Sequence, residues 1–262
     1  MAANEILTER RGQALIVTFN RPDHKNAMTL DMASQLFTVL KNTTTDPGVR
    51  AILMCGSGEH FIDGLDQSFY GKDVSSALEA ANQFILPFHS AIRELQVMDK
   101  PVLAAVQGQV TGVGFGLMLA ADLVIASSAT VFRTGFVEHA LPPIGGASFF
   151  LSRKVGMGRA MEILMLDEPF EAERAKRLRL INRIVDDNLI EQEALAWLDK
   201  LVAGPTKAYG AIKKLACTAF EKDINGQLGL EHTYFGHCSR SFDFREAVRA
   251  HSDKRDPRYT GT

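Results

Sequence analysis

Glycine fills every second position of "TGVGFGL" (111–117), at Gly112, Gly114 and Gly116, just after the apolar run "VLAAVQG" (102–108). Alternating glycines between a strand and a helix leave backbone N–H groups unpaired at the positive end of the helix dipole, aimed at something negative. Two phosphate-binding patterns fail here. A G-x-G-x-x-G fingerprint needs its third glycine at 117, which is Leu117, and about 20 residues further on stand Arg133 and Thr134 rather than an acid. A P-loop needs a Lys-Ser/Thr pair after the glycines, and none follows. A nucleophile elbow is also absent, because "CGSGEH" (55–60) has the wrong spacing. Two readings stay open. The glycines permit close helix packing, or they form one half of an oxyanion hole for charge that develops on a carbonyl oxygen. The second half would come from another glycine turn, "HFIDGLDQS" (60–68), directly after an apolar run.

Such turns need rigid elements behind them. Short apolar runs recur at 14–19 ("ALIVTF"), 51–56 ("AILMCG"), 102–108 and 123–127 ("LVIAS"). Between them, 29–40 places Met32, Leu36 and Leu40 on one helical face, and 74–98 does the same through Leu78, Ala81, Ile85, Phe88, Ile92 and Leu95. Strands alternating with helices predict an α/β fold with strands buried on both sides. After about residue 145 the chain reads as successive amphipathic helices, punctuated by Pro169 and Gly204-Pro205. The expected division is an α/β core over 1–200 and a helical region over 201–262.

Composition narrows the partners. With 46% hydrophobic and 23% charged residues and a net charge of −2, no broad basic face is available for nucleic acid. Cys55, Cys217 and Cys238 are odd in number and widely spaced, which argues against a disulfide framework or a zinc site and for a reducing, cytoplasmic compartment. The N-terminal "MAANEILTERRGQ" has no apolar core of a secretory signal, and the apolar stretch 117–132 is too interrupted to span a membrane. No metal is expected.

Four segments, in order, resemble the crotonase or enoyl-CoA hydratase/isomerase family. "NRPDHKNAM" (20–28) is similar to the signature N-R-P-x-x-x-N-A followed by Met or Leu. "HFIDGLDQS" is similar to F-x-A-G-x-D. "KPVLAAVQGQVTGVGFGLMLAAD" (100–122) resembles the long K-P…G-G-G…D segment, and "SFDFREAVRAHSDKRDPRYTG" (241–261) resembles the usual ending. The resemblance spans essentially the whole chain. It implies a crotonase-like spiral of ββα units with a C-terminal helical region that assembles a homotrimer or a dimer of trimers.

By the same resemblance, the backbone N–H groups of Leu65 and Val113 are the oxyanion donors for an acyl-CoA thioester. Coenzyme A, as part of the substrate and with no separate cofactor, is expected along Lys25 to Met28, including Ala27, and along Ile62, Gly64 and Asp66. Lys254, on the last helix, is expected near the CoA phosphates. Asp63 departs from the family's small residue and is expected to face solvent or a basic side chain. Asp66 is expected to cap the following helix.

The acid–base machinery departs further. Aligned without gaps, the two hydratase glutamates fall at Gly116 and Phe136, and the carboxylate place of other branches falls at Ile144. None of these side chains titrates, so two-glutamate hydration is not expected. Glu138 and His139 are the substitutes, with Glu138 buried against Phe136 as one arrangement. His89, on the helix before "KPVLAA", is a further pocket candidate. Two expectations follow: an acyl-CoA-transforming lyase or isomerase with a relocated base, or a non-catalytic acyl-CoA-binding or assembly protein of the same fold.

Overall fold

The computed structural model describes residues 4–70 and 73–262. The chain opens with an antiparallel hairpin, β1 (Ile6–Arg11) and β2 (Ala14–Phe19), then α1 (Leu30–Thr45). Three ββα turns follow: β3 (Ala51–Gly56), β4 (Ile62–Asp63) and α2 (Val74–Val97); β5 (Val102–Val106), β6 (Gln109–Thr111) and α3 (Val113–Ala120); β7 (Leu123–Ser127), β8 (Val131–Arg133) and α4 (Ala147–Val155). In each turn the first strand joins one sheet and the second joins the other, which makes a spiral. The chain ends with α5 (Met157–Leu166), β9 (Phe170–Glu171), α6 (Ala172–Arg177), β10 (Arg183–Val185), α7 (Ile190–Ala203), α8 (Thr206–Thr218), α9 (Ile224–Ser239) and α10 (Phe242–Ser252).

The larger sheet has the order β1-β2-β3-β5-β7-β10, parallel from β2 onward, and the smaller has β4-β6-β8-β9. All four apolar runs are strands of the larger sheet. They carry no alternation because both faces are covered. One face of the sheet meets α7 through Leu53, Leu103, Ile125, Ile190 and Leu198, and the other faces the main core. α7 therefore packs as part of the layer that covers this sheet.

Helix α1 starts where Thr29 Oγ1 accepts the Met32 N–H at 3.0 Å, and it buries Met32, Leu36 and Leu40 as the spacing predicts. Helix α2 departs from its expected stripe. Only its C-terminal half is packed, through Phe84, Phe88, Ala91, Ile92 and Leu95, while Leu78 is 61% exposed. Helix α3 is buried on every side, so it has no polar face. Its glycines serve that burial: a Cβ on Gly114 would lie 2.5 Å from the Ile62 carbonyl oxygen.

Beyond residue 145 the chain forms successive helices as expected, α4 to α10, interrupted by the short strands β9 and β10. Lys213 on α8 donates to Asp122 Oδ2 at 2.8 Å, which ties the C-terminal helices to the core. Leu228 and Phe235 on α9 and Phe242 and Val248 on α10 remain exposed. The three cysteines are free, and no helix among the described residues is long and apolar enough to cross a membrane.

Candidate active site

The smaller sheet builds the site. Its strands align Ile62 with Val110 and Phe132, and Asp63 with Thr111 and Arg133. A glycine in the left-handed region follows each strand: Gly64 (φ 73°), Gly112 (φ 58°) and, after Thr134, Gly135 (φ 67°). Glycine adopts such angles without the steric cost that a Cβ brings. These three are also packed against one another. A Cβ on Gly112 would lie 3.3 Å from Gly64 Cα, and one on Gly135 would lie 2.5 Å from Thr111 Cγ2 and 3.3 Å from the Gly112 nitrogen.

The two residues expected as oxyanion donors come directly after the first two glycines. Gly64 N–H donates to the Thr111 carbonyl at 3.2 Å, and Gly112 N–H donates to the Arg133 carbonyl at 3.3 Å. Asp66 N–H donates to the Met28 carbonyl at 3.0 Å. The N–H groups of Leu65, between two bonded neighbours, and of Val113, directly after the bonded Gly112, donate to no protein acceptor among the described residues. Val113 opens α3, where the helix dipole adds positive charge.

The segment 25–28 is laced to this turn. Asp63 N–H donates to the Lys25 carbonyl at 3.1 Å, and Met28 N–H donates to the Gly64 carbonyl at 2.9 Å. Lys25 and Asn26 both take positive φ, held because the buried Asn26 side chain bonds Arg21 N–H and the carbonyls of Ser57 and His60. Lys25 Nζ faces Asp63 Oδ2 at 3.5 Å. Arg21 reaches the Ala27 carbonyl at 2.6 Å and Asp66 Oδ2 at 2.8 Å. Asp66 Oδ1 accepts both the N–H and the hydroxyl of Ser68, capping the short turn 67–70. Burial opposes ionisation of Asp66, but the Ser68 hydrogen bonds and Arg21 outweigh it and hold the carboxyl below its ordinary value of 3.8.

That depressed value sets a pH dependence. An Asp whose folded pKa is lowered contributes stability that is complete above its unfolded pKa and is lost as pH falls through the folded one. Arg21→Met is expected to cost about 1–3 kcal/mol at neutral pH. The gap to the unmodified protein should narrow on acidification below about pH 4, the unfolded Asp range. Thermal melts across this range check it, and a pH-independent gap contradicts it.

A cleft of about 240 Å³ lies over the strand ends. Its walls include Gly64, Leu65, Tyr70, Phe136, Glu138 and His139. Glu138 and His139 stand on a single 3-10 turn, Val137–His139. Glu138 is not buried against Phe136: its side chain is 44% exposed, and its Oε2 accepts from Arg133 Nη1 at 2.9 Å. His139 Nε2 lies 3.6 Å from Glu138 Oε1, and its ring lies against Tyr70, tilted by 38° with centroids 4.5 Å apart. Burial first, and the Glu138 charge second, push the Tyr70 phenol up, so it stays protonated at neutral pH.

Other expected residues gather elsewhere. The open side of Gly116 faces the Ile144 and Gly145 carbonyls, and His89 Nε2 accepts the Gly145 N–H at 3.2 Å. Gly116, Ile144 and His89 thus meet at the turn before α4 rather than among the residues walling the cleft. Lys254 is not on the last helix. α10 ends at Ser252, and Lys254 sits in an exposed left-handed turn beyond it. Sequence reasoning missed Tyr70, Arg133 and Asp167, whose relevance comes from contacts across 5 to 34 positions or more rather than from any local pattern.

A sequence model of the enoyl-CoA hydratase/isomerase family matches residues 9–262. The chain belongs to the enoyl-CoA hydratase/isomerase family. It is 32% identical over 257 residues to 1,2-epoxyphenylacetyl-CoA isomerase of Escherichia coli, covering 98% of each chain. It is 30% identical over 256 residues to a short-chain-enoyl-CoA hydratase of Clostridium acetobutylicum, covering 97% of each. Among solved structures, an enoyl-CoA hydratase from a Polaromonas species superposes with a TM-score of 0.91 at 31% identity, over 97% of this chain and 99% of that one. The spiral of ββα units is thus the fold of this enoyl-CoA hydratase/isomerase chain. Relatives of similar identity carry hydratase and isomerase names alike.

Proposed function

We propose that this enoyl-CoA hydratase/isomerase family chain is an acyl-CoA-transforming enzyme that stabilises the charge developing on a thioester oxygen. The observation that carries this is the pair of unengaged N–H groups, Leu65 and Val113, each set behind a left-handed glycine at the end of neighbouring strands β4 and β6. A fixed pair of donors in a partly buried site costs no reorganisation when the charge appears. Coenzyme A lies along Lys25, Ala27, Ile62, Gly64 and Asp66, the two segments already joined by main-chain hydrogen bonds.

The proton is moved by His139, with Glu138 as its orienting partner. Arg133 already commits one Glu138 oxygen, whereas the His139 imidazole lines the cleft with two ring nitrogens that can give or take a proton. Gly116 and Phe136 carry no acid, so the reaction is lyase- or isomerase-type chemistry that does not use two glutamates. The exposed apolar side chains of α9 and α10 support self-association as a trimer or a dimer of trimers.

Turnover of a panel of enoyl- and acyl-CoA thioesters tests the proposal, with binding of CoA followed by calorimetry. Conversion of at least one thioester is expected. Tight CoA binding with no conversion of any of them contradicts it and favours the non-catalytic binding protein.

A further inference from the structure

Asp167 is a buried carboxylate that the chemistry above does not use. It caps α5 in the left-handed region (φ 52°) and is 5% exposed. Its Oδ1 accepts the Thr134 hydroxyl at 2.5 Å and the Gly135 N–H at 2.6 Å. Thr134 and Gly135 lie just past β8, and Gly135 is the third of the packed glycines. Its close approach to Thr111 and Gly112 sets where Gly112 sits, and Gly112 immediately precedes the Val113 donor. One oxygen of Asp167 therefore clamps the strand end that backs the oxyanion turn.

The other oxygen faces the opposite way. Asp167 Oδ2 makes no conventional hydrogen bond, and Arg133 Nη2 stands 3.3 Å from it. Arg133 Nε also donates to the Asp167 carbonyl at 3.0 Å, while its Nη1 holds Glu138, which in turn faces His139. The guanidinium is planar, so fixing Nε and Nη2 on Asp167 fixes where Nη1 points.

We infer that Asp167 is a positioning residue that ties the two halves of the site together. Through Thr134 and Gly135 it holds the oxyanion turn, and through Arg133 it sets the placement of Glu138 and His139. This rests on the oxyanion reading above and names what keeps that hole in register. A carboxylate is needed because one group must accept two hydrogen bonds on one oxygen and face a cation with the other. The placement is costly: a non-glycine residue in the left-handed region and a buried charge both oppose folding unless the surroundings compensate.

The test compares Asp167→Gly, Asp167→Asn and Thr134→Val with the unmodified protein. Glycine keeps the left-handed cap of α5 without strain, so Asp167→Gly removes the clamp and spares the helix end. Asparagine keeps an acceptor for Thr134 and Gly135. Thr134→Val removes one hydrogen bond of the clamp and leaves Asp167 intact. The first readout needs no turnover: the carbonyl stretch of butyryl-CoA labelled with ¹³C at C1, measured free and bound. A working oxyanion hole polarises this carbonyl and lowers its frequency.

The expected result is a downshift in the unmodified protein, most of it lost in Asp167→Gly, partly lost in Thr134→Val and largely kept in Asp167→Asn. Alongside it, kcat on whichever thioester turns over should fall about 10- to 100-fold in Asp167→Gly, less than when an oxyanion donor is removed outright. KM should stay within about threefold, because ground-state binding of CoA does not pass through this clamp. A full downshift in both Asp167→Gly and Thr134→Val overturns the inference while leaving the oxyanion reading intact. Bound butyryl-CoA with no downshift in the unmodified protein overturns the oxyanion reading, and this role for Asp167 falls with it.

Discussion

Gly112→Ala is expected to lower kcat by about 100- to 1,000-fold and to destabilise the fold by about 1–3 kcal/mol. Two causes act together. The backbone at Gly112 (φ 58°, ψ −119°) lies in a region that residues with a Cβ avoid. The new Cβ would also press on Gly64 Cα at 3.3 Å. Gly64 and Gly112 each precede one proposed donor, so spreading them would move both N–H groups from the thioester oxygen they are proposed to bind. Strain alone cannot account for the loss of activity, and Gly12→Ala separates the two effects. Gly12, in the β1–β2 turn, has the same φ of 58° but open space where an added Cβ would lie. Gly12→Ala should therefore cost stability while leaving kcat within about twofold, well under the effect of moving a donor. Equal kcat losses in the two variants would contradict this account of the turn.

The second large effect concerns the proton. His139→Gln is expected to reduce kcat by about 100- to 10,000-fold, the usual contribution of a positioned acid or base. CoA affinity should hardly change, because His139 lies on the 3-10 turn and not on the 25–28 or 62–66 segments. Glutamine keeps a polar side chain of similar reach but cannot exchange a proton at neutral pH. Glu138→Gln should cost less. It loses the ionic hold of Arg133 at 2.9 Å and the carboxylate 3.6 Å from His139, but leaves the imidazole in place. Tyr70 is a poor alternative base, since burial and the neighbouring Glu138 charge keep its phenol protonated. Near-unmodified activity in His139→Gln, with a large loss in Glu138→Gln, would reverse the two roles.

The long elements of this chain were legible because each one repeats its message. "ALIVTF", "AILMCG", "VLAAVQG" and "LVIAS" are uniformly apolar because α7 covers one face of their sheet and the main core covers the other. The site's second sheet left no such trace. β4 and β9 have two residues each, and β6 and β8 have three, too few to show a period. Its glycines marked it instead, because the turns at Gly64 and Gly112 demand positive φ.

The acid–base side was only half legible. Glu138 and His139 could be named from their closeness to Phe136, but the expected burial of Glu138 did not allow for Arg133, which draws it outward. Arg133 and Asp167 are 34 positions apart and meet only because β8 and the end of α5 pack together. The exposed Leu78 has a similar lesson: helical spacing shows which face could be buried, and only tertiary packing decides how far along α2 that happens.

The central claim is that the Leu65 and Val113 N–H groups bind a thioester oxygen. A crystal structure with a bound, unreactive acyl-CoA analogue that keeps the thioester carbonyl tests it most directly. The carbonyl oxygen is expected within about 2.7–3.1 Å of both nitrogens, with the acyl carbons facing His139. A carbonyl oxygen directed away from both nitrogens, with CoA seated along Lys25 to Met28, would contradict it.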